Sequence, residues 1–188
     1  IIVGLHYTYT SNADAPSSRM AAVETLCSLL GYAVIAPDYL GYGNTRQMIH
    51  PYLHARSTGS SCADMVLAGQ EYLYSRRLIS STHVPISVIG YSQGGEAAVA
   101  LQRTAETSYQ GKIRIRRVFA GGGPYDLKIC YKDLLESDYT SIPFVAPMLV
   151  LGMNYAEQLN LNPDEFFTGR FLSNYPQWIL SKSLNNDQ

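Results

Sequence analysis

Four short runs of the chain are almost continuously apolar: residues 1–6, 32–37, 85–91 and 113–120. Each is rich in Val and Ile. Runs of this length without polar alternation predict strands covered on both faces, as in a parallel sheet. Between them the hydrophobic period lengthens. In "APSSRMAAVETLCSLLG", Met20, Val23, Leu26, Cys27 and Leu30 recur at helical spacing, with Ser17 or Ser18 placed to cap the start and Gly31 where a C′ glycine belongs. The stretch 62–78 carries Met65, Ala68, Tyr72 and Leu73 on one side, with Ser60 or Ser61 as its cap. A third helical pattern, "GGEAAVALQRTAE", starts directly after Ser92. Alternating strands and helices predict an α/β architecture: a mostly parallel sheet with flanking helices and right-handed crossovers.

After "AGGGPYDL" the alternation stops. Residues 128–188 read as helical, with apolar patches in "SIPFVAPMLVLGMNYA", "NPDEFFTGRF" and "NYPQWIL". Asn162 fits an N-cap and Pro163 the first helical position, with Asp164 and Glu165 in the first turn. The pattern therefore divides into a sheet-and-helix core over 1–127 and a helical segment over 128–188. Ile1 already lies inside a strand pattern, so polypeptide is expected upstream, and a signal peptide would not be visible.

Composition narrows the function classes. Of 188 residues, 46% are hydrophobic and 15% charged, and the net charge is −1. Without a basic run, a nucleic-acid surface is not indicated. No apolar stretch reaches the roughly 18 residues of a membrane span. Cys27, Cys62 and Cys130 lie far apart with no CxxC spacing, which suggests neither a zinc site nor a disulfide framework.

The chemistry centres on Gly90-Tyr91-Ser92-Gln93-Gly94, a G-x-S-x-G match. Alone it is weak, since roughly one chain of this length in twenty carries it by chance at ordinary glycine frequency. The preceding strand and following helix raise it to a nucleophile elbow. A sharp strand-to-helix turn strains the serine backbone, and side chains two residues before and after would collide, hence Gly90 and Gly94. The helix N-terminus then lies under Ser92, where Gln93 N–H is a candidate oxyanion donor. A second donor is expected from "HYTYTSNADAPSS", with Thr8 and Thr10 both candidates.

The segments "GLHYTYTSNADAPS", "GYAVIAPDYLGYGNT", "VIGYSQGGEAAVAL" and "AGGGPYDL" occur in α/β-hydrolase order. Together they resemble the secretory lipase branch, of the yeast lipase A type, and related bacterial secreted hydrolases. The resemblance covers most of the chain. It implies a partial α/β-hydrolase fold, with strands three to six in residues 1–127 and the start of a helical cap or lid in 128–188. It further implies a serine hydrolase of carboxylic esters, lipase- or esterase-like, acting on a small-molecule ester or lipid. A secreted, periplasmic or cell-envelope location and no cofactor or metal go with it.

One departure stands out. His6, His50, His54 and His83 all precede Ser92, whereas the hydrolase order is Ser, then acid, then His. His6 reads as a neighbour of the oxyanion loop and His83 as lying at the far end of the sheet. His50 and His54 are four apart, but Pro51 and the absence of a neighbouring Glu argue against a metal pair. Asp126 reads as a turn or cap residue and Asp38 as structural. The acid and base of the triad, with the remaining strands, are thus expected beyond residue 188. Two alternatives remain open: a serine peptidase on the same fold, and a non-catalytic relative that binds a lipid or partner.

Overall fold

The computed structural model describes residues 1–187. Four strands, β1 (Ile2–Leu5), β2 (Val34–Ile35), β3 (Ile86–Tyr91) and β4 (Ile115–Gly121), form one parallel sheet in the order β2-β1-β3-β4. Three helices cross between them: α1 (Ala22–Leu29), α2 (Ala55–Ser75) and α3 (Gln93–Thr107). Leu5 is in register with Gly90, and Tyr91 with Gly121. Three predicted strands shift at their ends by a residue or two. The one expected over 32–37 shrinks to Val34–Ile35, because the edge strand pairs with β1 at only Ile2 and Val3.

Side chains alternate across a strand, and the alternation separates the helices. Val3 and Leu5 join Val88, Cys62, Val66, Ala97 and Leu101 in the main core with α2 and α3. Gly4, between them, faces Glu24 of α1 on the opposite side. Fully burying a Val or Leu side chain contributes about 1.5–3 kcal/mol, so this layer anchors the strand ends that carry the site.

Two predicted helices differ from expectation. The second begins at Ala55, is capped by His54 rather than Ser60 or Ser61, and ends at Ser75. It buries Gly59, Cys62, Ala63, Val66 and Gln70, while Met65 and Tyr72 are exposed. A side chain at Gly59 would meet Ala100 and Thr104 of α3, so the closely packed face is the one with small residues. The first helix has no side-chain cap from Ser17 or Ser18, starting instead after Ala21. Val23 and Leu26 within it, and Met20 and Leu30 flanking it, are exposed, and Glu24 is buried. Gly31 does take the left-handed C′ conformation, with φ 87°.

After β4 the chain is helical: α4 (Leu127–Glu136), α5 (Val145–Glu157) and α6 (Gly169–Tyr175), the last running into a π-turn over Pro176–Leu180. Asn162 and Pro163 open a 3₁₀ turn, the Asn162 side chain accepting from Asp164 N–H. Tyr52, Leu53 and Met148 form a second core that seats α5 against the loop before α2. Glu157 at the end of α5 binds His54 and Arg56 at 2.6 and 2.7 Å.

Candidate active site

Ser92 stands at the turn from β3 into α3 with φ 57° and ψ −120°. Such a backbone costs a non-glycine residue about 1–3 kcal/mol. Three hydrogen bonds hold it there. Ser92 N–H donates to the Gly121 carbonyl (2.9 Å), and its own carbonyl accepts from Gly95 and Glu96 N–H (2.9 and 3.2 Å). A Cβ on Gly90 would fall on the Gly94 carbonyl, and one on Gly94 on the Leu5 carbonyl. The close packing of β3, α3 and β1 at this point therefore admits glycine alone at both positions. Tyr91 is exposed beside Ser92, against Gly122.

Ser92 opens on a mostly apolar cavity of about 570 Å³. Thr8 comes from the loop after β1, Tyr52 and Leu53 from the loop before α2, Tyr131 from α4, and Val145 and Leu149 from α5. No histidine is among the described residues that line it.

Each histidine has another position. His6 is buried, stacked on Tyr9 and close against Tyr39, with its ring nitrogens on the Tyr7 and Asp38 carbonyls. His54 caps α2 and binds Glu157. His83 is exposed just before β3, at the opposite end of that strand from Ser92. His50 is buried beneath the start of α3. Its Nδ1 faces the Leu40 carbonyl at 2.6 Å and so carries the proton, which leaves Nε2 to accept from the Gln93 side-chain amide at 2.7 Å. Burial pushes the His50 pKa down to about 3. It is a neutral seat for Gln93, whose side chain points down and away from the cavity. No cluster of His, Cys, Asp or Glu able to hold a metal occurs among the described residues. Asp126 caps α4 through Ile129 N–H (3.1 Å), and Asp38 accepts from Ser17 N–H (2.7 Å).

The oxyanion-loop candidates occupy different positions. Thr10 N–H donates to Asn186 Oδ1 at 3.0 Å, so it is already used. Thr8 lines the cavity with Ser92, its hydroxyl paired with Tyr52 at 2.8 Å, and its N–H has no partner among the described residues. Gln93 N–H, at the first position of α3, is one of the free donors at a helix start. Glu96, in the first turn of α3, is buried, and desolvation raises its pKa to about 7. Sequence reasoning missed Asn186, Tyr52 and Glu96 at this site. The first two lie in irregular segments far from Ser92 along the chain, and Glu96 sits inside an otherwise ordinary helix start.

No protein-family model matches the chain, and no curated protein does. Solved structures do. A protein assigned as a hydrolase from Legionella pneumophila superposes with a TM-score of 0.86 at 21% identity, over 98% of this chain and 50% of that one. The rice cell wall degrading esterase LipA from Xanthomonas oryzae gives 0.82 at 22%, over 99% and 51%. Candida antarctica lipase A in its closed state gives 0.61 at 15%, over 98% and 46%. With the all-parallel order β2-β1-β3-β4, these likenesses show a partial α/β-hydrolase fold. The chain spans about half the length of the solved structures it matches. Among the described residues no helix is long and apolar enough to cross a membrane.

Proposed function

We propose that this chain carries the nucleophile and oxyanion half of a serine carboxylic-ester hydrolase. The observation that carries the reading is Ser92, held at φ 57° between β3 and α3 and opening on an apolar cavity. Likeness to an esterase and a lipase supports the ester class. Ser92 Oγ attacks the ester carbonyl, and the carbonyl oxygen, now negative, is held by Gln93 N–H and Thr8 N–H. Collapse expels the alcohol and leaves an acyl group on Ser92, which water then removes. The acyl part lies against Leu53, Val145 and Leu149, and the helices α4 to α6 act as a cap over it. The base that accepts the Ser92 proton, and the acid that orients it, come from polypeptide beyond residues 1–188. That the matched structures are about twice as long supports this. A location outside the cytoplasm accompanies the reading.

The test is hydrolysis of p-nitrophenyl esters of graded chain length by the full-length protein and its Ser92→Ala variant. Loss of turnover in the variant is expected, and equal rates refute the proposal. Peptide substrates run in parallel separate the ester from the peptidase reading. A second reading, a non-catalytic relative binding a lipid under the cap, draws on one observation: no described histidine lines the cavity. Fatty-acid binding by full-length protein that lacks any Ser92-dependent turnover would favour it.

A further inference from the structure

Near the end of the described chain, residues 182–186 are threaded between two loops by hydrogen bonds. The buried Lys182 ammonium donates to the Arg46 and Met48 carbonyls at 2.9 and 2.6 Å and lies over the Tyr42 ring. The Lys182 carbonyl accepts from Asn12 N–H at 2.8 Å. The Thr10 hydroxyl is 2.9 Å from both the Leu184 carbonyl and Asn186 Oδ1, its one proton serving either. Asn186 then spans the loop after β1. Its Oδ1 accepts from Thr10 N–H at 3.0 Å, and its Nδ2 donates to the Thr8 carbonyl at 2.7 Å.

That pairing is the pattern of a strand neighbour supplied by one side chain. An amide accepts from one residue's N–H and donates to the carbonyl two residues earlier. It fixes which way the Asn186 amide faces, since the flipped amide would set N–H against N–H. It also fixes the peptide that follows Thr8. The Thr8 hydroxyl sits on Tyr52, and the Tyr9 carbonyl takes the Tyr42 hydroxyl. The Thr8 N–H has no partner among the described residues, and Thr8 lines the cavity with Ser92 and Asn186.

We infer that Asn186 is a positioning residue that holds the loop at Thr8–Thr10 so that the Thr8 N–H stays free and aimed at the oxyanion. The inference rests on the ester-hydrolase reading for its catalytic part, whereas the tether itself does not. Asn186 touches no reacting atom. It acts through the backbone of the donor, and displacing a donor by about 1 Å is enough to cost on the order of a hundredfold in rate.

The test uses full-length protein with Asn186→Ala and Asn186→Asp. Amide exchange at Thr10 is read by NMR, and kcat and KM are read on a p-nitrophenyl ester. In Asn186→Ala, Thr10 exchange should quicken at least about tenfold, and kcat should fall about ten- to a hundredfold with KM within about twofold. In Asn186→Asp the carboxylate still accepts from Thr10, so exchange stays slow. The donor to Thr8 is lost and a negative charge faces the oxyanion, so kcat still falls. Wild-type Thr10 exchange in Asn186→Ala overturns the tether. Faster exchange with unchanged kcat overturns the positioning role. Should Asn186→Ala fail to fold, Asn186→Asp decides alone: unchanged kcat overturns the inference. Wild-type protein without Ser92-dependent turnover sinks the hydrolase reading and leaves the tether to be judged by exchange.

Discussion

Replacing Glu96 by Gln tests how dry the floor beneath Ser92 is. Glu96 lies in the first turn of α3, is 8% exposed, and has an Oε2 with no hydrogen-bond partner. The helix N-terminus favours the carboxylate by about 0.3–1 kcal/mol. Desolvation opposes it and wins, raising the pKa from 4.5 to about 7. The folded protein therefore holds a proton that the unfolded chain releases above pH 4.5. This contribution to stability is complete below pH 4.5 and is lost as pH rises through 7. Each pKa unit is worth about 1.4 kcal/mol, so the full swing is up to about 3 kcal/mol. Glutamine has no such proton. The stability of Glu96→Gln relative to wild type should rise by up to about 3 kcal/mol between pH 4.5 and 8. An imperfectly paired amide would add a constant cost of about 1–3 kcal/mol, which shifts the whole curve and leaves its slope alone. Titrations elsewhere, such as His50, are shared by both proteins and cancel. Urea unfolding of the two proteins at stepped pH makes the measurement. A difference that stays flat across the range refutes the argument, because the carboxylate would then be hydrated or paired.

Three further outcomes follow from the same geometry. His50 should stay neutral in the folded protein down to a pH near its value of about 3, so its stabilising contribution is full above pH 6.5 and fades as pH falls; an NMR titration of its ring with a midpoint near 6.5 would contradict this. Gly94→Ala should cost about 3 kcal/mol or more, since the methyl meets the Leu5 carbonyl. Gly31→Ala, left-handed but in open space, should cost only about 1 kcal/mol; equal losses in denaturant titrations would remove the steric argument. Ser92→Gly should abolish turnover while raising stability by about 1 kcal/mol through relief of strain, and a less stable variant would mean the turn is relaxed.

The parts of the fold that were legible are those decided locally. Strands buried on both faces advertise themselves as apolar runs, and Gly90 and Gly94 follow from steric contact at one sharp turn. On the helix faces, bulk is a poor sign of burial. In α2 the buried side is Gly59, Cys62, Ala63 and Val66, because α3 approaches too closely for larger residues. In α1 the apolar Val23 and Leu26 face outward and the acidic Glu24 faces in. The seat of Gln93 on His50 and the bridge from Asn186 to Thr8 join residues 43 and 178 positions apart, each pair including a loop residue. Pairings of that kind leave no period in the sequence, so only the folded chain displays them.

A cost is concentrated around Ser92, and its distribution is informative. The serine backbone is strained, Glu96 and Gln93 each bury a polar atom without a partner, and Lys182 spends its charge on two carbonyls. An unsatisfied buried polar atom costs about 1–3 kcal/mol, so a chain selected for stability alone would have replaced several of these groups. The main core, from Val3 and Val88 to Leu101, lies directly behind them and contributes the burial that offsets the loss. Three of these groups, Ser92, Gln93 and Glu96, lie at the start of α3, and Lys182 belongs to the strap that holds the Thr8 loop. Two of them bear on backbone N–H groups: Gln93 is held by its seat on His50, and, on the proposed reading, the strap with Lys182 and Asn186 holds the Thr8 loop before any substrate arrives. Donors fixed in advance stabilise a developing oxyanion without reorganising. Proton transfer needs a side chain that no described residue places at Ser92. On the proposed reading, electrostatic stabilisation and proton transfer are therefore separable in this fold, and the described residues supply the first of them.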